Sequence, residues 1–188
     1  MNYRRCRHRL LTMHNLQYCL GGYNEDKALA ECEFFNELTN KWNIFPSFSS
    51  PTCDLTVIGI ENRYIYAFSS LINSSIFKID IFRINKAWQD IPYTSIRLVQ
   101  YGICIPKTKD KILILGGKSN QGNIFELDLN TFQLVEREEI FNISKDGEYW
   151  FSCVKNRNEN FYAVFVKSKS IIKYNKQNDR FGETELYF

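Results

Sequence analysis

Residues 18–42 read YCLGGYNEDKALAECEFFNELTNKW, and their internal order decides the fold. A short apolar run, Tyr18–Leu20, stops at Gly21–Gly22. A polar loop leads into a second run, Cys32–Phe35, and a turn then delivers Trp42. The same order recurs along the chain. Trp42 follows Phe35 and Asn36 by seven and six residues; Trp88 follows Ile81 and Phe82, Leu134 follows Leu127 and Asp128, and Phe181 follows Tyr174 and Asn175. These bulky apolar anchors stand 46, 46 and 47 residues apart. Three positions before each lies a turn-former: Thr39, Asn85, Thr131 and Asn178. A fixed period of this size is the signature of a repeat architecture.

Two further columns keep the period. The β-rich runs Tyr18–Leu20, Tyr64–Phe68, Ile112–Leu115 and Phe161–Phe165 end at a doublet beginning at 21, 69, 116 and 166. The doublet is glycine in two copies, Gly21–Gly22 and Gly116–Gly117. Upstream of each lies another strand-like run: Arg9–Met13, Leu55–Ile60, Tyr101–Ile105 and Tyr149–Val154. Third strands are expected at Cys32–Phe35, Ile76–Phe82, Ile124–Leu129 and Ile171–Tyr174, and a fourth at or after each anchor. Each unit therefore reads as four strands with short connections, which suit antiparallel neighbours.

Composition agrees. With 188 residues, 44% hydrophobic and 15% aromatic, the chain can bury a sizeable core and is not a disordered one. Net charge is +3, and Arg4, Arg5, Arg7 and Arg9 supply that surplus within the first ten residues. The remainder is about neutral, so no basic face for nucleic acid is implied. The arginine-rich start reads more simply as a frayed or incomplete terminus than as an electrostatic arm. No apolar run reaches the roughly 18–20 residues of a membrane helix, and the opening is a poor signal peptide. Six cysteines without metal-type spacing are then expected as reduced thiols, and the location as cytoplasmic. The sequons at Asn73 and Asn142 read as chance matches.

A unit of about 47 residues with four antiparallel strands, a diglycine closing the second and an aromatic anchor resembles the kelch repeat. YCLGG with FFNELTNKW in copy one, and ILILGG with LDLNTFQL in copy three, carry the resemblance best. Copy three has Leu134 in place of tryptophan, copies two and four lack the diglycine, and copy four ends on Phe181. The resemblance implies an all-β, kelch-type β-propeller with four four-stranded antiparallel blades, as one domain over 1–188. The blades are expected at about 6–48, 49–96, 97–145 and 146–188. Kelch propellers usually have five to seven blades, so four copies are read as a partial propeller, an open arc, over a closed ring or an arc completed by a partner. Gly21, Gly22, Gly116 and Gly117 are expected where backbone turns tightly. Trp42, Trp88, Leu134 and Phe181 are expected to bridge adjacent blades, with packing inside their own sheet as the competing reading.

Reactive constellations are sparse. His8 and His14 are the only histidines, neither at a metal spacing nor near a carboxylate. The glycine doublets precede Tyr23 and Lys118 and fit no phosphate-binding loop. Asp80, Asp128 and the Glu136–Glu139 cluster are explained by turns and solvated charge more simply than by a glycosidase pair. The galactose-oxidase group, similar in its blades, needs copper-binding histidines that have no counterpart here. No metal, cofactor, nucleic acid or membrane is expected, and the protein is not read as an enzyme.

What remains is recognition by loops on a rigid scaffold. Loops after the second strand and loops leading to the next blade emerge at the same end of an up-and-down sheet. Tyr23, Asn24, Tyr93, Arg97, Lys118, Asn120 and Gln121 are the candidate contact residues there. The expected function is a non-catalytic protein–protein interaction module, an adaptor or substrate-recognition subunit. The alternatives are an actin-associated or assembly component completed by a partner, including self-association through open blade faces, and a truncated copy without its own activity. Kelch relatives often carry BTB or F-box segments, and the repeats leave no room for one within these residues.

Overall fold

Alternating apolar residues separated by turn-formers give strands, and the chain is all-β, without a helix among the described residues. The computed structural model describes residues 1–69, 75–92, 102–115, 123–140, 151–155, 160–165 and 170–185. In the first blade, β1 (Arg9–Met13), β2 (Leu16–Leu20), β5 (Cys32–Asn36) and β6 (Lys41–Phe45) form one antiparallel sheet in that order. A small hairpin, β3 (Tyr23–Asn24) and β4 (Lys27–Ala28), stands in the loop between β2 and β5. The second blade is β7 (Thr56–Ile60), β8 (Tyr64–Ser69), β9 (Ser75–Asp80) and β10 (Gln89–Pro92). The third is β11 (Ile103–Pro106), β12 (Lys111–Leu115), β13 (Asn123–Asp128) and β14 (Leu134–Ile140). The fourth is β15 (Phe151–Lys155), β16 (Asn160–Phe165), β17 (Ser170–Asn175) and β18 (Arg180–Glu185).

The turns explain the period. Each third strand ends on an Asn or Asp whose side-chain oxygen accepts a backbone N–H two residues on. These are Asn36 to Leu38 at 2.9 Å, Asp80 to Phe82 at 3.0 Å, Asp128 to Asn130 at 2.8 Å and Asn175 to Gln177 at 3.0 Å. Such Asx turns stop a strand by offering its backbone a local partner. That is why β9 and β13 end at Asp80 and Asp128, one or two residues before the apolar pattern runs out. Two residues before three of the anchors, Asn40, Phe132 and Asp179 take positive φ of 51°, 56° and 51°. This left-handed step lets a short turn launch the fourth strand. The anchor then lies directly across the hairpin from the residue seven before it: Trp42 from Phe35, Leu134 from Leu127, Phe181 from Tyr174. In the second blade the turn is longer, and Trp88 falls just before β10.

The chain forms two compact units, Met1–Ile96 and Arg97–Phe188, with two blades each. In the first, Met13, Tyr18, Leu20, Cys32, Phe45 and Phe48 of blade one pack against Leu55, Ile65, Ala67, Phe77, Ile79 and Ile81 of blade two. In the second, Ile103, Ile105, Leu113, Leu115 and Ile124 of blade three meet Phe161, Ala163, Ile172 and Tyr174 of blade four. A single sheet of this size leaves an apolar face wet, so stacking on a neighbour is the source of stability.

The anchors divide between the two packing modes. Trp88 bridges blades: its ring centroid lies 4.6 Å from Phe48 and 6.1 Å from Phe45, and its indole N–H donates to Pro46 O at 2.8 Å. Trp42 instead stacks at 5.4 Å on Phe35 of its own sheet. Phe181 does both, packing at 4.7 Å on Tyr174 while the Arg137 guanidinium of blade three sits 5.7 Å from its ring centre.

The first residues depart from the reading as a frayed terminus. Arg5 and Glu33 form a 3.0 Å ion pair with both side chains at 0% exposure. Arg5 also donates to Gly21 O and Glu31 O, both at 2.6 Å. Arg5 is thus built into blade one, whereas Arg4 and Arg7 beside it are exposed.

Candidate binding face

The candidate contact loops are held by backbone. Gly21 and Gly22 take φ of +56° and +115°, the first of them in the left-handed region that glycine alone enters without steric cost. Space is equally restrictive: a Cβ on Gly21 would lie 2.5 Å from Thr52 O, and one on Gly22 would lie 2.8 Å from Cys6 O. The diglycine thus lets three segments converge. Gly22 N donates to Thr52 O at 2.9 Å, Leu29 N to Gly22 O at 2.8 Å, and Thr52 N to Leu29 O at 3.0 Å. Phe48 N donates to Ala30 O at 2.9 Å, and Cys6 and Tyr23 exchange two backbone bonds of 2.8–2.9 Å. Beneath them the Thr52 and Ser69 hydroxyls are buried at 2.7 Å. The loop after the second strand and the loop between blades therefore emerge together.

What projects from this frame is the β3–β4 tip. Glu25, Asp26 and Lys27 are exposed, whereas Tyr23 and Asn24 are half-buried. Tyr23 serves the frame: its backbone pairs with Cys6, and the Arg7 guanidinium sits 5.6 Å from its ring centre. Arg7 also forms a two-pronged ion pair with Asp54 of the inter-blade loop. Of the residues named from sequence, Tyr23 and Asn24 thus come together at the base of the hairpin. Tyr93, Arg97, Lys118, Asn120 and Gln121, with Gly116 and Gly117, lie outside the described residues, as do Asn73 and Asn142. The tip residues Glu25–Lys27 lie within the expected contact loop Tyr23–Leu29 but were not singled out in it.

Three of the carboxylates named from sequence, Asp80, Asp128 and Glu136, have structural partners. Asp80 accepts from Arg63 at 2.8 Å, and the Arg63 bond holds its carboxyl below the usual range. Asp128 is held low by the Thr131 and Asn130 backbone N–H groups. Glu136 accepts from Asn123 at 2.5 Å. His8 is half-buried, and burial next to Arg5 depresses its basicity; His14 is exposed and donates to Asn62 O. Among the described residues no group of three or more His, Cys, Asp or Glu is placed to hold a metal ion.

Four four-stranded antiparallel sheets of one repeated plan, two in each unit, have the build of β-propeller blades. Residues 4–49 match the family model of the kelch motif, a span that takes in all four strands of the first blade. No curated protein matches the chain. No helix among the described residues is long and apolar enough to cross a membrane.

Proposed function

We propose that the protein is a non-catalytic protein–protein interaction module, of adaptor or substrate-recognition type, that binds through the end bearing the β3–β4 hairpin. One observation carries the reading: the Glu25–Lys27 tip is exposed while the loops beneath it are fixed by backbone bonds to two blades at once. A rigid base with a projecting, charged tip presents side chains at little ordering cost on binding. Partners are proteins in the cytoplasm. The test is a photo-crosslinking residue at Asp26 in one sample and at Leu38, on the opposite end of blade one, in another. Discrete partner bands from position 26 and none from 38 are expected. Equal capture at both, or capture only at 38, contradicts the face assignment.

Assembly with a second copy is the second reading, favoured by the face of blade one turned away from blade two. There Leu10, Cys19, Glu33 and Ile44 form one cross-strand row, and Leu10 and Ile44 are 53% and 74% exposed. Light scattering on the purified chain separates the two: a monomer at all concentrations removes the assembly reading.

A further inference from the structure

The first strands of blades one and two run alongside each other in parallel at a near-constant offset. Asp54 N donates to Arg7 O at 3.1 Å, and the Arg9 guanidinium donates to Leu55 O at 2.8 Å. Further along, Gly59 faces Met13 and Leu11, and His14 reaches Asn62 O. In that register Cys6 and Cys53 fall at the same level, each one residue before the bonded Arg7 and Asp54. Neighbouring segments pin both backbones, Cys6 through Tyr23 and Cys53 through the Arg7–Asp54 contact. Cys6 is exposed and Cys53 buried. Burial first, and then the Asp54 carboxylate, push the Cys53 thiol up to about 11, with a smaller like-charge push from Cys6.

Cys19 and Cys32 form no such pair. They lie on adjacent strands but in neighbouring rows, Cys19 opposite Glu33 and Cys32 opposite Leu20, so their side chains point to opposite faces. Both are buried, which raises their thiols to about 11 and about 12, and neither faces the other across the sheet.

We propose that Cys6 and Cys53 are a peroxide-oxidisable pair that closes a disulfide between the first two blades. The exposed Cys6 sulfur attacks one oxygen of hydrogen peroxide. The S–O bond forms as O–O breaks, and the thiol proton leaves with the departing hydroxide as water. The Cys53 sulfur then attacks the sulfenic sulfur: S–S forms, S–O breaks, and hydroxide takes the Cys53 proton as a second water. Two thiols lose two electrons, and one peroxide becomes two waters. The bond closes a long loop of chain, which constrains the unfolded state and stabilises the folded one.

The test treats the reduced full chain with stoichiometric hydrogen peroxide, blocks remaining thiols and maps linked peptides by mass spectrometry. A Cys6–Cys53 peptide, loss of two hydrogens and a rise in Tm of roughly 5–10 °C are expected. Cys6→Ser, at an exposed site, should melt like the reduced wild type and gain neither the link nor the rise. Oxidation of Cys6 to sulfinic acid without a link, a disulfide to any other cysteine, or no reaction at either thiol overturns the proposal.

Discussion

Gly21 has no room for a side chain, because its φ is positive and a Cβ there would lie 2.5 Å from Thr52 O. Gly21→Ala should therefore cost about 1–3 kcal/mol, read as a lower denaturant midpoint. Gly182, in the middle of β18, has nothing within 4 Å of its Cβ position. Gly182→Ala should be neutral or stabilising by up to about 1 kcal/mol, through the unfolded chain's lost freedom. Equal effects of the two substitutions would contradict the role given to the diglycine. The Arg5–Glu33 pair makes a second prediction at this scale. Removing one partner leaves a fully buried charge, so Glu33→Ala should destabilise by about 3–5 kcal/mol. Converting both residues to apolar ones of similar volume should cost much less, and a chemical-denaturation series on the three variants checks it.

Between blades, Trp88 and Trp42 hold matching repeat positions but do different work. Trp88→Ala loses the Phe45 and Phe48 contacts and the Pro46 bond, and should cost about 2–4 kcal/mol; Trp42→Ala loses one ring within its own sheet and should cost about 1 kcal/mol. Thermal melts of both decide whether inter-blade stacking dominates. In the second unit, Lys107 joins Glu126 at 2.6 Å and Asp179 at 2.7 Å, and Arg137 joins Asp179 at 2.9 Å. Burial alone would raise both carboxyls, but hydrogen bonds from Lys107 outweigh it, aided by Lys111 at Glu126 and Arg137 at Asp179, and both are held low. Their stabilisation is present above the unfolded value of roughly 4 and is lost as pH falls through the lower folded value. A Glu126→Gln/Asp179→Asn variant should thus be less stable than wild type at pH 7, with the gap closing toward pH 3. Melts across that range that keep a constant gap would contradict it. The strands themselves were legible because apolar alternation and a constant period record burial directly; β1 coincides with the expected Arg9–Met13. The β3–β4 hairpin was not, because two-residue strands of Tyr-Asn and Lys-Ala carry no alternation. Nor was the role of Arg5, whose partner Glu33 is distant in sequence and belongs to a strand that reads as apolar.

At the scale of the whole molecule, each unit keeps two blades dry against one another and leaves loop ends free to vary. The candidate face combined residues from several blades, of which Tyr23 and Asn24 are described, and these brace the Glu25–Lys27 tip of the same expected loop. Contact residues are harder to read than strands because an exposed loop side chain leaves no periodic trace. The recognition reading is tested most directly by amide hydrogen exchange on the full chain, alone and with a captured partner. Slowed exchange over residues 22–29 and 46–54, with residues 37–40 and 61–63 unchanged, is the predicted footprint. Protection confined to 37–40 and 61–63, or spread along the outer strand β6, would contradict it.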